Sequence, residues 1–568
     1  LLEKNMLGYT QSYVSGPSNV ELIGDTIGEH FDKAVGRWGS EDALVIPFQN
    51  ICWNWNELKK QVDNMAKGLI QLGLKPGDRI GIWSPNNKEW VLTQFATAKA
   101  GLILVNINPA YRLSELEFAI NKVECKALIT ASKFKTSDYI SMISELAPEV
   151  EASQPGELQA KKIPSLRNLI QIGEKHSGMF SFEDILEVGK SESDDSLNEI
   201  GKSLQFDDPI NIQFTSGTTG TPKGATLTHH NILNNGFFIG EKFGLSEKDR
   251  MCIPVPLYHC FGMVIGNLAC MTHGTAMVYP SESFEASATL ETIENHNCTG
   301  VLGVPSMFIA MLQNQNFNSF DFSSLRTGMM AGSPCPIEVM KEVTDKMGLR
   351  EMTIGYGMTE TSPVSTQTDL DDSLEHRVAS VGRVHPYVEI KIVDESGKIV
   401  SPEVPGEFCA RGYHVMRGYW GDSEKTSDVI DDSGWMHTGD LATMDRDGYF
   451  NIVGRIKDMV IRGGENLFPK EIEDYLFKHP KIAEVQVFGV PDLKYGEELC
   501  AWIKLVDGED SNDEEIRDFC NGQIAHYKVP RYIEFVDSFP MTVTGKVQKF
   551  VMREQMIETL NLQETKTA

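Results

Sequence analysis

At 568 residues the chain is too long for one hydrophobic core, so two or more domains are expected. Lysine and arginine number 52 against 80 aspartates and glutamates, a net charge of −28, which argues against general binding to nucleic acid or anionic membranes. Apolar residues at 41% and charged residues at 23% are those of an ordinary globular protein.

No run of eighteen apolar residues offers a transmembrane segment, and the best stretch, 91–105, is broken by Gln94 and Lys99. The ten cysteines, Cys52, Cys125, Cys260, Cys335 and Cys520 among them, form no Cys-x-x-Cys pair and no cysteine–histidine cluster in the sequence. That pattern suits reduced thiols inside a cell, each a small buried apolar group, and offers no zinc site by spacing. The chain starts at Leu1 rather than Met, which suits a removed or omitted leader, and its end, Lys566-Thr567-Ala568, is not the peroxisomal Ser-Lys-Leu address.

In chain order, Leu58, Val62, Met65, Leu69 and Leu72 recur at steps of four and three, an amphipathic helix stopped by Gly73. A strand at 78–83, a helix capped by Asn86 or Asn87 and running to about Ala100, and strands at 102–107 and 122–130 follow. Strand–helix–strand order implies a parallel wound sheet. Residues 150–205 are more polar, with an acidic run at 191–196, and read as a solvated surface excursion. Strand-like alternation over 209–214 leads into Thr215-Ser216-Gly217-Thr218-Thr219-Gly220-Thr221-Pro222-Lys223-Gly224, and a helix starts near His229. Glycine backbones, hydroxyls and one ammonium in ten positions make a cradle for phosphate oxygens, placed by this reading on a sheet edge. Thr221 and Pro222 separate Gly220 from Lys223, so it is not a Walker A loop.

Further on stand the aromatic segment 254–262 with His259, a buried strand at 300–305, a helix at 306–312 and a small-residue strand end at 328–334. Tyr356-Gly357-Met358-Thr359-Glu360 offers an aromatic for a base, a hydroxyl for a phosphate and a carboxylate for Mg²⁺. Thr438-Gly439-Asp440 offers a carboxylate for two ribose hydroxyls, and Gly454-Arg455-Ile456-Lys457-Asp458 is a charged break between strands. The last hundred residues read as a compact α+β unit: helix 469–479, strands 484–488 and 500–506, helix 513–525 and strand 532–536, closing on Thr544-Gly545-Lys546.

Taken together and in this order, these motifs resemble those of the adenylate-forming superfamily, which includes acyl-CoA synthetases, peptide-synthetase adenylation domains and beetle luciferases. The likeness covers roughly residues 50–550. Stretches at 208–217, 256–260 and 457–466 are similar to the mitochondrial medium-chain acyl-CoA synthetases of the family-member-two group. The resemblance implies an α/β fold with a large N-terminal domain of wound sheets and flanking helices (1–454), a hinge (455–458) and a small mobile α+β C-terminal domain (459–568). It implies two half-reactions: a fatty acid attacks ATP to give acyl-adenylate and pyrophosphate, then the CoA thiol releases AMP.

By the same resemblance, Thr215 to Lys223 clasp phosphates, Tyr356 stacks adenine, Thr359 meets the α-phosphate, and Glu360 holds Mg²⁺. Asp440 and Arg455 fix the ribose, and Lys546 serves adenylation. His259, Met263, Met329 and Met330 wall the acyl pocket, Lys457 is the hinge, and Gly463 and Gly464 line the CoA passage. The matrix of mitochondria is implied, with the cytoplasm as alternative. Other acids or acceptors stay open, among them an aromatic-acid CoA ligase and a luciferase-like enzyme, as does a non-catalytic nucleotide- or acyl-binding relative.

Overall fold

Asn54 opens the first long helix, Trp55–Gln71, by accepting the Glu57 N–H at 2.9 Å, while the Glu57 carboxylate returns to the Asn54 N–H at 2.9 Å. Such a reciprocal cap contributes about 1 kcal/mol. It starts the helix three residues before the periodic stretch, and Leu58, Val62, Met65 and Leu69 are buried as that periodicity requires. The next helix, Lys88–Ala100, is capped by Asn87 and ended by Gly101 at φ 68°. It is buried on all sides, and so shows no polar face in the sequence. The computed structural model describes residues 8–215, 222–333, 335–462, 465–521, 523–542 and 547–562.

The helix Lys88–Ala100 lies against an eight-stranded sheet in the order Phe180–Ser181, Asn168–Gln171, Ala127–Thr130, Arg79–Trp83, Ile103–Asn106, Pro209–Thr215, Lys223–Thr228, Gly418–Tyr419. It is parallel as far as Pro209–Thr215 and antiparallel beyond. Two expectations change. The stretch 150–205 is no surface excursion: Asn168–Gln171 is a fully buried strand, and the helix Phe182–Ser191 packs on Trp55–Gln71. Its short apolar core, Leu169-Ile170, is masked by polar neighbours that hydrogen-bond within the sheet. The phosphate-type segment also does not sit on a sheet edge, because it joins two interior strands, and the strand Lys223–Thr228 precedes the helix His229–Phe243.

A nine-stranded sheet runs Arg383–Val384, Val364–Gln367, Glu351–Gly357, Thr327–Met330, Gly300–Gly303, Arg250–Cys252, Ala276–Val278, Asp42–Ile46, Ile51–Asn54. The largest apolar core draws on both sheets and the helices, from Leu104 and Ile82 through Phe95 and Leu233 to Leu302. A third, antiparallel sheet joins Tyr13–Ser15, Val388–Val393, Gly406–Gly412, Met436–Met444 and Phe450–Arg455. After a short turn, Ile456–Asp458, the chain builds a fourth sheet from Val460–Arg462, Glu465–Leu467, Ile482–Asp492, Gly496–Leu505 and Tyr532–Phe535, with helices Pro469–Leu476, Asp513–Cys520 and Lys549–Thr559. The expected helices there are present but shorter than their sequence patterns. Among the described residues no helix is long and apolar enough to cross a membrane. Eight cysteines are buried and Cys335 is half-buried, but Cys52 is exposed, against expectation.

Candidate active site

Two carboxylates organise the site. The first is Glu360, at 5% exposure on the turn that follows the strand Glu351–Gly357. Thr215, at the end of its strand and directly opposite Lys223, donates its hydroxyl to Glu360 Oε1 at 3.2 Å. Tyr419 donates to the same oxygen at 2.9 Å. Burial, and then the charge of Glu360, raise the Tyr419 phenol well above its ordinary pKa, so it stays a donor. The Lys223 ammonium lies over the Tyr419 ring, 4.9 Å from its centre. The Glu360 carbonyl accepts the Met416 N–H at 2.8 Å, and Gly224 that of Trp420 at 2.8 Å, so strand and turn are fastened to one another.

The second carboxylate is Asp440, which faces Arg455 across the antiparallel strands Met436–Met444 and Phe450–Arg455. Arg455 Nε lies 3.1 Å from Oδ1, and Tyr356 donates its hydroxyl to Oδ2 at 2.6 Å. Burial works against the guanidinium's charge, but Asp440 and Asp458 hold it above its usual value. Burial, then the neighbouring Asp440, raise Tyr356 as well.

Tyr356 and Glu360 sit on one continuous segment, and therefore join the two carboxylates. The flanking glycines make this possible: a Cβ on Gly357 would fall 1.7 Å from the Pro363 carbonyl oxygen, and one on Gly355 would fall 2.8 Å from Met329 Cε. Thr359 is buried in the same turn.

His259 precedes a wide helical turn of the π type, Phe261–Leu268, buried throughout. Its Nδ1 accepts the Phe261 N–H at 3.3 Å. Met263 is clamped from two sides. Its sulfur accepts from Asn106 Nδ2 at 3.2 Å and Gln213 Nε2 at 3.1 Å, and its carbonyl from Gln94 Nε2 at 3.0 Å. Met263 and Met329 share the largest core, but Met330 does not join them. Successive residues of a strand point to opposite faces, and Met330 packs with Phe308 and Met340 in a separate core.

Lys457 lies in the turn Ile456–Asp458, two residues after Arg455. Ser216, Gly217, Thr218, Thr219, Gly220, Thr221, Gly463, Gly464 and Lys546 lie outside the described residues. The sequence reading missed Tyr419, Asn106, Gln213 and Gln94. Tyr419 meets Glu360 from 59 residues away, and no local spacing announces such a pair.

Known proteins resemble this chain over most of its length. Residues 31–420 match the AMP-binding enzyme family, and residues 471–546 match the AMP-binding enzyme C-terminal domain. A medium-chain acyl-CoA ligase, ACSF2, mitochondrial, from Danio rerio is 47% identical over 97% of this chain and 92% of its own length. A putative acyl-CoA synthetase, YngI, from Bacillus subtilis is 46% identical over 95% of this chain and 99% of its own. The structure of the anthranilate CoA ligase AuaEII in complex with anthranoyl-AMP superposes with a TM-score of 0.83 at 26% identity, covering 96% of this chain and 99% of that one. The chain belongs to the AMP-binding, adenylate-forming enzyme family.

Proposed function

We propose that this enzyme activates a fatty acid of medium length to its acyl-CoA, using ATP and releasing AMP and pyrophosphate. The observation that carries the reading is the convergence of Tyr356, Glu360, Asp440 and Arg455 on one segment and one strand pair, in a chain whose full-length relatives bear the names of acyl-CoA ligases. Medium chain length and a mitochondrial matrix location follow the relatives called ACSF2, while the Bacillus relative leaves a cytoplasmic location as the alternative.

In the first half-reaction the acid's carboxylate attacks the α-phosphorus of ATP, an acyl–oxygen–phosphorus bond forms, and pyrophosphate leaves. A carboxylate is already a competent nucleophile, so the enzyme's work is to position groups and offset charge. Thr215 and Lys223, paired at the mouth of the hairpin, offer a hydroxyl and an ammonium to the β- and γ-phosphates. Tyr356 offers its ring to adenine, Thr359 its hydroxyl to the α-phosphate, and Asp440 with Arg455 the polar ends for the ribose.

Glu360 fits Mg²⁺. Both hydroxyl donors converge on Oε1, no lysine or arginine among the described residues forms an ion pair with it, and the donors are all oxygen. When bound, Mg²⁺ supplies positive charge to the phosphate oxygens. Lys546 stabilises the charge at the reacting carboxylate and phosphate.

In the second half-reaction the CoA thiol attacks the acyl carbon and AMP leaves with the phosphate oxygen. The residues after the 455–458 turn swing about Lys457 between the two steps, withdrawing Lys546 and presenting Gly463 and Gly464. His259, Met263 and Met329 bound the acyl chain.

AMP release with Mg-ATP, measured against fatty acids of rising length with and without CoA, tests the reading. AMP formed in step with acyl-CoA for medium lengths is expected. Background release for every acid would overturn it and redirect attention to aromatic acids, luciferin-type substrates, a carrier-protein acceptor or a binding role. Lys546→Ala should lower adenylation about 10²–10³-fold yet spare thioester formation from supplied acyl-adenylate. Equal loss of both steps would count against the two-state scheme.

A further inference from the structure

On the face of the antiparallel sheet opposite the Phe408–Ala410 core, Glu407, Cys409 and His437 bring one ligand atom each to a common point, all within 4.8 Å of one another. Glu407 and Cys409 are two residues apart on the strand Gly406–Gly412, so they project to one side, and Cys409 lies directly opposite His437 on Met436–Met444. A register shift between Glu407 and Cys409 bends the strand at this place. Glu407 Oε2 is 2.8 Å and Cys409 Sγ 3.5 Å from the same atom, His437 Nδ1.

A salt bridge explains only part of this. His437 Nδ1 is shared between the Glu407 oxygen and the Cys409 sulfur, and the thiol's other partner, the Glu407 carbonyl, is 3.9 Å away, so the sulfur is only weakly satisfied. A cation between the three atoms satisfies all of them. Zinc bonds of about 2.0–2.3 Å in a tetrahedron separate ligand atoms by about 3.3–3.6 Å. The sulfur–nitrogen distance of 3.5 Å already has that value, the oxygen–nitrogen distance of 2.8 Å is about half an ångström short of it, and all three atoms stay within 4.8 Å of one another.

The far ring nitrogen faces a carboxylate at ion-pair rather than hydrogen-bond distance. His437 Nε2 lies 3.7 Å from Asp431 Oδ2, while Asp431 Oδ1 accepts the N–H groups of Ser433 and Trp435 at 2.9 Å. A carboxylate beyond a metal-bound histidine fixes the tautomer and points Nδ1 at the metal. Cys409 is buried, whereas Glu407 and His437 are half-exposed, so the cluster is reached from the solvent side.

We propose that Glu407, Cys409 and His437 form a binding site for a divalent cation of the zinc class, oriented by Asp431. On binding, the Cys409 thiol gives its proton to solvent and a sulfur–metal bond replaces the S–H bond. No spacing rule links residues 28 positions apart, which is why the cysteine pattern of the sequence gave no hint of it.

Cobalt(II) titration of the full-length protein carrying Cys52→Ser, which removes the exposed thiol, tests the site. The expected result is a thiolate-to-cobalt charge-transfer absorption that saturates at one ion per chain and is abolished by zinc. Cys409→Ser should remove the band. Asp431→Asn should weaken cobalt binding about 10–100-fold while keeping the band's shape. If Cys409→Ser does not fold, the half-exposed His437→Gln takes its place, with at least a tenfold loss of affinity expected. Absence of the band, or a band indifferent to Cys409→Ser and His437→Gln, overturns the proposal.

Discussion

Glu360 and Asp440 are built alike and neutralised differently. Each is a buried carboxylate capped by a tyrosine hydroxyl, Tyr419 in one case and Tyr356 in the other. Asp440 also has a guanidinium on its second oxygen, whereas the Lys223 ammonium lies over the ring of Tyr419, the tyrosine that caps Glu360. A carboxylate already paired with a cation suits neutral hydroxyls, which accept and donate without adding charge. One whose side-chain partners among the described residues are hydroxyls suits the metal ion of the proposed reading. On the proposed reading, the two ends of the nucleotide site use not the same carboxylate but opposite electrostatic surroundings for it.

The sharpest way to break this contrast is Glu360→Gln. It should cut adenylation about 10²–10³-fold and raise the Mg²⁺ concentration required. A loss that extra Mg²⁺ does not change and that equals the loss in Asp440→Asn would erase the distinction. Asp440→Asn itself should act mainly on KM for ATP, by about tenfold or 1.4 kcal/mol, with kcat changed less. Steady-state kinetics at several Mg²⁺ concentrations separates the two variants.

The supports of the Glu360 end titrate. His229 begins the helix after the strand of Lys223, and its Nδ1 accepts the Ile27 N–H at 3.1 Å. His414 meets Ser365 Oγ at 3.0 Å, two residues before the Met416 N–H that binds the Glu360 carbonyl. Burial pushes both imidazoles down to about 3 from 6.5. The folded values lie below the unfolded one, so between these limits the unfolded chain binds more protons. Stability should therefore be fully present above about pH 6.5 and fall on acidification, by about 1.4 kcal/mol per pH unit for each histidine. Urea unfolding at stepped pH measures the slope, and a flat profile from 6.5 to 4.5 would contradict it.

The smallest effects belong to the caps. Tyr419→Phe and Tyr356→Phe each remove one hydrogen bond to a charged group, an interaction of about 1.5–3 kcal/mol when buried, part of which water restores at an open site. A loss of about fivefold is expected in each, in kcat for Tyr419→Phe and in KM for ATP for Tyr356→Phe. A reversed pattern would exchange the two roles.

Much of this site was legible because its chemistry is contiguous. Tyr356, Thr359 and Glu360 fall within five residues, and Thr438, Gly439 and Asp440 within three. What escaped was whatever depends on chain crossings. Tyr419 and the amides of Asn106 and Gln213 reach their partners only after the sheets are assembled, and a polar residue in a buried strand looks like surface until its neighbour is known. The same blindness made residues 150–205 look solvated, because Asn168 and Gln171 frame a two-residue apolar centre. Helix starts were readable from caps such as Asn87. Met329 and Met330 could not be separated by composition, since only the pleat of Thr327–Met330 tells which methionine faces which core.

That four-residue strand has a consequence for how the gene can change length. Its two methionines belong to different cores, and its register with Gly300–Gly303 and Glu351–Gly357 is unbroken from Thr327 to Met330. A single inserted or deleted codon there would exchange the contents of both cores at once, and displace the glycines that frame Tyr356. The strand thus acts as a fixed ruler, and a change of chain length is expected to be costlier within it than in the connection that precedes it.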